Sequence, residues 1–196
     1  MRKLDPIIEK TFKPLGPFFE KFHIKPNHLT VMGALLTLFG AYYIAIGDIR
    51  KGIIIVIFTW LFDVIDGALA KYSNHITKFG GFFDSVMDRY TEGMVLAAFS
   101  YFYGTKGDKI MVLITVVSLI GALTVPYARA RAEKEIKKCN IGIGDRLTRL
   151  ISLALFSLLN RPEIGIILVM IISHYTVLER IIYTRKVLKG LIQEDK

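Results

Sequence analysis

Cysteine is almost absent from this sequence: Cys139 is the single one among 196 residues, and it lies in a lysine-rich stretch. One cysteine cannot form an internal disulfide, and its surroundings match neither a zinc-binding nor a redox spacing. The four histidines also lack ligand spacing with one another, so zinc binding, redox chemistry and disulfide stabilisation are not expected. These histidines are His23, His28, His75 and His174.

Polar stretches long enough to form a soluble domain are also lacking, since 53% of the residues are hydrophobic. Apolar runs of about 20 residues, the length of a helix that crosses the hydrocarbon core, follow one another with short breaks. We therefore predict an all-α, polytopic membrane protein with six transmembrane helices, and no nucleic-acid partner. The predicted helices lie near residues 28–47, 52–72, 82–103, 109–130, 147–160 and 163–184.

Positive charge is scarce on one side of the predicted spans. Twenty Lys and Arg residues fall in the two termini and in the connections on their side, against five on the opposite side, with Arg89 inside the third span. Because cytoplasmic loops collect Lys and Arg, we expect a multi-pass protein of the cell membrane with both termini in the cytoplasm. The first 25 residues lack a continuous apolar core, so no cleavable signal peptide is expected.

The N-terminal arm, residues 1–26, interleaves apolar side chains with lysines, and Pro14 and Pro17 interrupt any single helix. This composition favours an amphipathic segment in the membrane interface, although a partly ordered tail is the alternative. Residues 27–185 are then the six-helix membrane domain, and residues 186–196 are a cytoplasmic tail. Small residues within the spans favour close helix contacts, and they are Gly33, Gly40, Ala41 and Gly121.

Four carboxylates stand at the junction of the second and third spans, near the side predicted to be cytoplasmic. Charged residues at membrane depth are costly, so such a cluster indicates a functional site. Asp63 and Asp66 are three residues apart, and Asp84 and Asp88 are four apart, so each pair shares a helix face. Because all four ligands are hard oxygens, Mg²⁺, Mn²⁺ or Ca²⁺ fits such a site. Two divalent cations would balance the four charges and could clamp a pyrophosphate.

The residues around these carboxylates resemble the signature of the CDP-alcohol phosphotransferase family, D-x2-D-G-x2-A-R-x8-G-x3-D-x3-D. Every spacing agrees, and the one departure is a lysine where the family has arginine after the alanine. The PNHLT segment at residues 26–30 is similar to the family's entry into its first span. The signature falls on Asp63, Asp66, Gly67, Ala70, Lys71, Gly80, Asp84 and Asp88.

The resemblance implies a metal-dependent membrane transferase. In this family a hydroxyl of an alcohol attacks the lipid-bearing phosphorus of a CDP-linked lipid, and CMP leaves. The resemblance further implies that the four aspartates hold two divalent cations, Mg²⁺ or Mn²⁺, that Asp88 is the general base, and that the protein forms a homodimer. The residues implied at the CDP-lipid are Asn27, Thr30, Gly67, Ala70, Lys71 and Gly80.

A second basic region, with the segments YARARAE and GDRLTRL, resembles the branch of the family that makes phosphatidylinositol phosphate or archaetidylinositol phosphate. There the acceptor is inositol phosphate, an anion that basic side chains bind. Glycerol phosphate is the nearest rival, because it is also an anionic alcohol. Positive-inside anchoring by snorkelling side chains is another role for such arginines. The resemblance assigns the acceptor phosphate to Arg129, Arg131, Arg149 and Arg180.

Two other classes of protein remain in view. Cation transporters and channels also place aspartates in the membrane, but they have no need of the Gly67-x2-Ala70 spacing or of a neighbouring anion site. A catalytically inactive scaffold is disfavoured because all four aspartates are present. The headgroup motifs do not indicate whether the lipid tails are ester-linked or ether-linked.

Overall fold

The computed structural model describes residues 26–72 and 77–192, with side chains for 27–60 and 77–192. Over these ranges the chain is helical without strands, which confirms the all-α prediction. The predicted N-terminal interfacial segment lies almost wholly outside the described residues, as do residues 193–196 of the predicted tail. The helices are α1 (Pro26–Ala45), α2 (Ile49–Tyr72), α3 (Lys78–Thr105), α4 (Lys109–Ala132), α5 (Arg146–Leu158) and α6 (Pro162–Leu188).

Polar side chains cap the starts of three helices. Thr77 Oγ1 accepts a hydrogen bond from the Gly80 backbone N–H at 2.9 Å and so begins α3. Asp108 and Asp145 do the same for α4 and α5, accepting from the N–H groups three residues ahead at 2.9 and 2.8 Å. Each bond satisfies one of the backbone donors that the first turn of a helix leaves without partners.

Contacts divide the chain into two compact units. Of the described residues, the first unit takes 26–44, 51–72 and 77–95, and the second takes 45–50 and 96–192. The first unit therefore carries the four aspartates, and the second carries the basic region. Each unit is described separately below.

In the first unit, glycines allow α1 and α2 to cross closely. A Cβ on Gly40 would lie 2.9 Å from the Gly52 carbonyl oxygen, and a Cβ on Gly52 would lie 2.6 Å from that of Gly40. Further along the same crossing, the hydroxyl of buried Thr37 lies 3.2 Å from that of buried Thr59. Small residues thus bring the two backbones together, as predicted for Gly40.

In the second unit, α6 packs against both α4 and α5. The Ser118 hydroxyl on α4 donates to the Ile166 carbonyl of α6 at 3.0 Å. One turn further, a Cβ on Gly121 would lie 2.9 Å from Ser173 Cβ, which confirms the close contact predicted for this glycine. The backbone of α5 also lies close to α6, since a Cβ on Gly165 of α6 would lie 3.1 Å from the Cα of Leu153.

Within the described residues, three helices are long and apolar enough to cross a membrane: Asn27–Ala45 within α1, Lys109–Ala132 and Pro162–Leu188. The helix α2 carries two aspartates and α3 carries charged residues along its first half, which lowers their hydropathy. The helix α5 has 13 residues, or about 20 Å at 1.5 Å per residue, and falls short of a hydrocarbon core of about 30 Å. The arrangement of six spans therefore stays a prediction.

Candidate functional site

The four aspartates of the signature lie on α2 and α3. Asp63 and Asp66 fall in the C-terminal part of α2, whose backbone is helical through Tyr72, while their side chains lie outside the described part. The same holds for the other signature residues of α2, namely Gly67, Ala70 and Lys71. Asp84 and Asp88 lie near the start of α3. The predicted helical setting of both pairs is therefore confirmed.

Asp84 and Asp88 are one helical turn apart, and both are partly buried. Arg89 follows directly, and its Nη2 donates to Asp88 Oδ2 at 3.3 Å. The Asp88 carbonyl in turn accepts from the hydroxyl of Thr91 at 3.1 Å. The guanidinium beside Asp88 supplies a positive charge that helps to orient this carboxylate.

A fifth acidic residue, Glu92, continues the row by one turn and was not singled out from the sequence. It is only 5% exposed, which is unusual for a carboxylate inside an apolar helix. The signal in the sequence was the repeated spacing of four through Asp84, Asp88 and Glu92, which places the three on one face of α3. The buried end of this face therefore carries a further carboxyl group.

The aspartate site offers only carboxylate oxygens, which suits Mg²⁺ or Mn²⁺ and not a thiolate-bound metal. Within the side chains described, no group of three His, Cys, Asp or Glu residues is arranged to hold a metal ion. Asp84 and Asp88 form the described half of the predicted site, and Asp63 and Asp66 would complete it from α2. The donor set thus fits a hard divalent cation.

Two residues predicted at the CDP-lipid, Asn27 and Gly80, come together although 53 positions separate them. A Cβ on Gly80 would lie 3.4 Å from Asn27 Oδ1 and 3.0 Å from Thr77 Oγ1. The adjacent Gly81 is different, because a Cβ there would meet nothing within 4 Å. Thr30, three residues beyond Asn27 on α1, is buried. Gly80 therefore allows the starts of α1 and α3 to approach each other closely.

Arginines from three helices form a basic cluster in the second unit, composed of Arg129 on α4, Arg149 on α5 and Arg180 on α6. The charges of Arg129 and Arg149 act on Arg180, as does the carboxylate of Glu133. Arg149 is 2% exposed and Arg180 is 6% exposed. Three of the four arginines predicted at the acceptor phosphate are thus close enough to interact electrostatically.

Backbone carbonyls hold the two buried arginines in place. Arg149 Nη1 donates to the Gly144 carbonyl at 2.5 Å. Arg180 Nη1 donates to the Val125 carbonyl at 2.5 Å, and its Nε donates to the Ile141 carbonyl at 3.1 Å. These bonds fix the position of each guanidinium, a group whose planar fork of N–H donors suits a phosphate.

The connection between α4 and α5 packs against α6 and so fixes this part of the cluster. The Gly144 N–H donates to Thr176 Oγ1 at 2.9 Å. At Gly142 the backbone has φ of 97°, a left-handed conformation that favours glycine, and a Cβ there would clash with the Thr176 side chain. Glycines at these positions let the connection approach α6 and place Gly144 beside Arg149.

Arg129 and Arg131 lie two residues apart on α4 and have different surroundings. Arg129 Nε donates to Glu133 at 2.9 Å, and Arg131 Nη1 donates to Glu135 at 2.5 Å. Arg131 lines a groove between α4 and α6, whereas Arg129 belongs to the basic cluster.

Glu133 follows the end of α4 and partly balances the basic cluster. Burial tends to raise the pKa of its carboxyl, but hydrogen bonds from Arg129 and from the Cys139 backbone N–H outweigh this effect. Together with the nearby positive charges they hold the pKa of Glu133 below its usual value. The carboxylate therefore stays ionised near neutral pH and keeps Arg129 oriented.

Comparison with known proteins gives a consistent result. The family model described as CDP-alcohol phosphatidyltransferase matches residues 23–182. The chain is 34% identical over 188 residues to the archaetidylinositol phosphate synthase of Pyrococcus horikoshii, a match that covers 95% of this chain and 97% of that one.

The fold is also similar to that of the phosphatidylinositol phosphate synthase of Mycobacterium tuberculosis. The crystal structure of that enzyme with CDP-DAG bound aligns with a TM-score of 0.83 at 24% identity, covering 89% of this chain and 94% of the other. Its structure in complex with manganese and citrate gives the same TM-score and identity and covers 88% of each chain.

Proposed function

The chain belongs to the CDP-alcohol phosphatidyltransferase family and is a transferase of that family, and from this premise we propose that inositol phosphate is its acceptor. The observation that carries the proposal is the basic cluster, in which the charges of Arg129 on α4 and Arg149 on α5 act on Arg180 of α6. Such a cluster suits a phosphate-bearing alcohol better than a neutral one. The names of the relatives in Pyrococcus and Mycobacterium support the same acceptor.

The proposed reaction exchanges one phosphorus–oxygen bond for another. A hydroxyl oxygen of inositol phosphate attacks the lipid-bearing phosphorus of the CDP-linked lipid and forms a new P–O bond. The bond from that phosphorus to the oxygen bridging the two phosphates breaks, and CMP leaves with the bridging oxygen. The products are the lipid-linked inositol phosphate and CMP.

Asp88 takes the proton of the attacking hydroxyl. Its carboxylate lies on the same face of α3 as Asp84 and is oriented by Arg89. A positioned base of this kind contributes about 100-fold to 10,000-fold in rate. The four signature aspartates, Asp63, Asp66, Asp84 and Asp88, would hold two divalent cations. When bound, these cations neutralise and orient the pyrophosphate of the donor.

The donor nucleotide lies against the signature residues of α2 and the starts of α1 and α3. Gly80 and Asn27 lie close together there, and a side chain at Gly80 would press on Asn27 and Thr77. Gly67 and Ala70 add no bulk on α2, and Lys71 supplies a positive charge near the phosphates. Lysine binds phosphate as a point charge and lacks the bidentate fork of the family's arginine.

The acceptor phosphate is held by Arg129, Arg149 and Arg180. The two buried guanidiniums are already fixed by backbone carbonyls, so little side-chain entropy is lost on binding. Arg131 is not among the charges that act on Arg180, so the proposal rests on the other three arginines. Glycerol phosphate would satisfy the same charges, and the names of the relatives favour inositol phosphate.

In the proposed arrangement the protein is a homodimer of chains with six spans each. Both termini and the aspartate site lie at the cytoplasmic face. The excess of Lys and Arg on that side of the spans supports this orientation. The donor is an ester-linked or an ether-linked CDP-lipid. A cation transporter is disfavoured because the family is one of transferases.

The test is release of CMP by the purified full-length protein from a CDP-linked lipid. Metal would first be removed with a chelator and then restored as Mg²⁺ or Mn²⁺. We expect CMP only when a divalent cation and inositol phosphate are both present, with free inositol and glycerol phosphate as the comparison acceptors. No CMP with any acceptor would refute the assigned substrates, and activity with glycerol phosphate alone would refute the inositol phosphate assignment.

A further inference from the structure

An apolar groove of about 630 Å³ opens between α4 and α6 near their C-terminal ends. Above it the two helices are in close contact, because Gly121 fits against Ser173. The groove begins near Thr124, and two residues further on Pro126, which has no N–H, interrupts the hydrogen-bond ladder of α4. The close packing of α4 and α6 therefore gives way to an open space along their last turns.

One face of each helix lines this groove, and its interior is apolar. On α6 the lining residues recur at positions 177, 181, 184 and 188, the three-to-four spacing of a single helix face. On α4 the walls include Ala128 and Ala132, whose small side chains leave the volume empty. A volume of this size is typical of a ligand site.

Positive charge surrounds the open end of the groove. Arg131, Arg180, Arg185 and Lys189 line it together with one carboxylate, Glu135, which pairs with Arg131. Arg185 and Lys189 are exposed and form no ion pair with any residue in the described ranges. The groove therefore combines an apolar floor with a cationic rim at the face that the charge distribution predicts to be cytoplasmic.

We propose that this groove binds one anionic phospholipid of the surrounding leaflet, distinct from the CDP-lipid donor. One chain lies along Ala128, Val177 and Ile181, and the phosphate contacts Arg185 and Lys189. Basic pockets between transmembrane helices on the cytoplasmic side are typical sites for anionic headgroups. The proposal stands apart from the proposed function, because lipid binding is measured without turnover.

Native mass spectrometry of the full-length protein tests this inference. Phosphatidylglycerol and phosphatidylcholine would be titrated separately, and bound lipids counted per chain. We expect one phosphatidylglycerol to bind at least about tenfold more tightly than phosphatidylcholine. The double variant Arg185→Gln/Lys189→Gln should weaken phosphatidylglycerol binding about thirtyfold. The control Lys186→Gln, also exposed on α6 but outside the groove, should bind as the wild type does.

A second variant addresses the floor of the groove. Ala128→Leu should fill the space for the chain and weaken binding while leaving all the charges in place. Equal affinity for the two lipids, or equal effects of the double variant and Lys186→Gln, would overturn the inference. A monomer in place of a dimer in the double variant would identify a second copy as the occupant. A raised KM for the CDP-lipid alone in that variant would identify the donor.

Discussion

Asp88 has well-defined immediate surroundings. Arg89 contacts its carboxylate, and Thr91 bonds its carbonyl, so the residue is fixed from two sides. A general base must be held close to the proton that it removes, and this setting provides such a restraint. The aspartate at this position is therefore the one whose loss should affect chemistry more than binding.

We expect Asp88→Asn to reduce kcat about 100-fold or more while CDP-lipid binding is largely kept, since one metal ligand of four is changed and the base is lost. Ser85→Ala on the same helix is the control, because within the described part of the chain the Ser85 hydroxyl donates to the Gly81 carbonyl of its own helix. Single-turnover kinetics and a separate measurement of CDP-lipid binding check both variants. Turnover near the wild-type rate in Asp88→Asn would show that another group is the base.

Arg129 and Arg131 provide a matched pair for the acceptor site. Both are exposed and both pair with a glutamate four residues ahead, but only Arg129 lies in the basic cluster. We expect Arg129→Ala to raise the KM for inositol phosphate roughly tenfold, the worth of one charged hydrogen bond. Arg131→Ala should raise it less. Steady-state kinetics with varied inositol phosphate concentration measure both values. A larger rise in KM for Arg131→Ala than for Arg129→Ala would contradict the assigned cluster.

The approach of α1 to α3 depends on the hydrogen atom that Gly80 has in place of a side chain. We expect Gly80→Ala to raise the KM for the CDP-lipid about tenfold, because the added carbon presses on Thr77 and Asn27. Gly81→Ala is the matched control, since its Cβ meets open space and alanine favours a helix. Donor kinetics of the two variants check this. Similar values for both would mean that the contact of Gly80 with Asn27 is not part of the donor site.

The contact of α4 with α6 is set by Gly121. A Cβ there would lie 2.9 Å from Ser173 Cβ and 3.0 Å from the His174 ring, so Gly121→Ala should destabilise the protein by about 1–3 kcal/mol. The thermal midpoint should fall by a few degrees for each kcal/mol. Gly104→Ala serves as the control, because its nearest neighbour would be at an ordinary 3.8 Å. An unchanged midpoint in Gly121→Ala would show that the helices can separate without cost.

The positions of the helices could be read from the sequence because the length of apolar runs and the Gly or Asn breaks between them determine where spans end. The start of α3 was placed too late, at 82, since the cap by Thr77 depends on a single hydrogen bond. The end of α6 was placed too early, at 184, since Arg185 and Lys186 continue the helix. Local polar residues thus decide boundaries that hydropathy does not.

The site was predictable only in part. Motif spacing identified the aspartates, and helix geometry then placed Asp84 and Asp88 on one face. The burial of Arg149 and Arg180 could not be predicted, because it depends on how the connection at Gly142 and Gly144 packs against Thr176. Such contacts between distant segments leave no periodic signal in one sequence.

At the scale of the whole molecule, one unit carries the acidic site and the other carries the basic cluster. This division corresponds to the two halves of the proposed reaction, in which a metal-bound pyrophosphate and an anionic alcohol must both be held. The transferase activity is common to the members of the family. The identity of the acceptor is therefore the property that distinguishes this chain from other members. The acceptor is therefore the central claim.

A competition experiment tests this claim most directly. The purified protein would receive a CDP-linked lipid, Mn²⁺ and equal concentrations of inositol phosphate and glycerol phosphate in one vessel, and mass spectrometry would identify the lipid product. The account predicts that the inositol phosphate lipid predominates and that Arg129→Ala lowers its yield. Predominance of the glycerol phosphate lipid, or formation of neither product, would contradict the account.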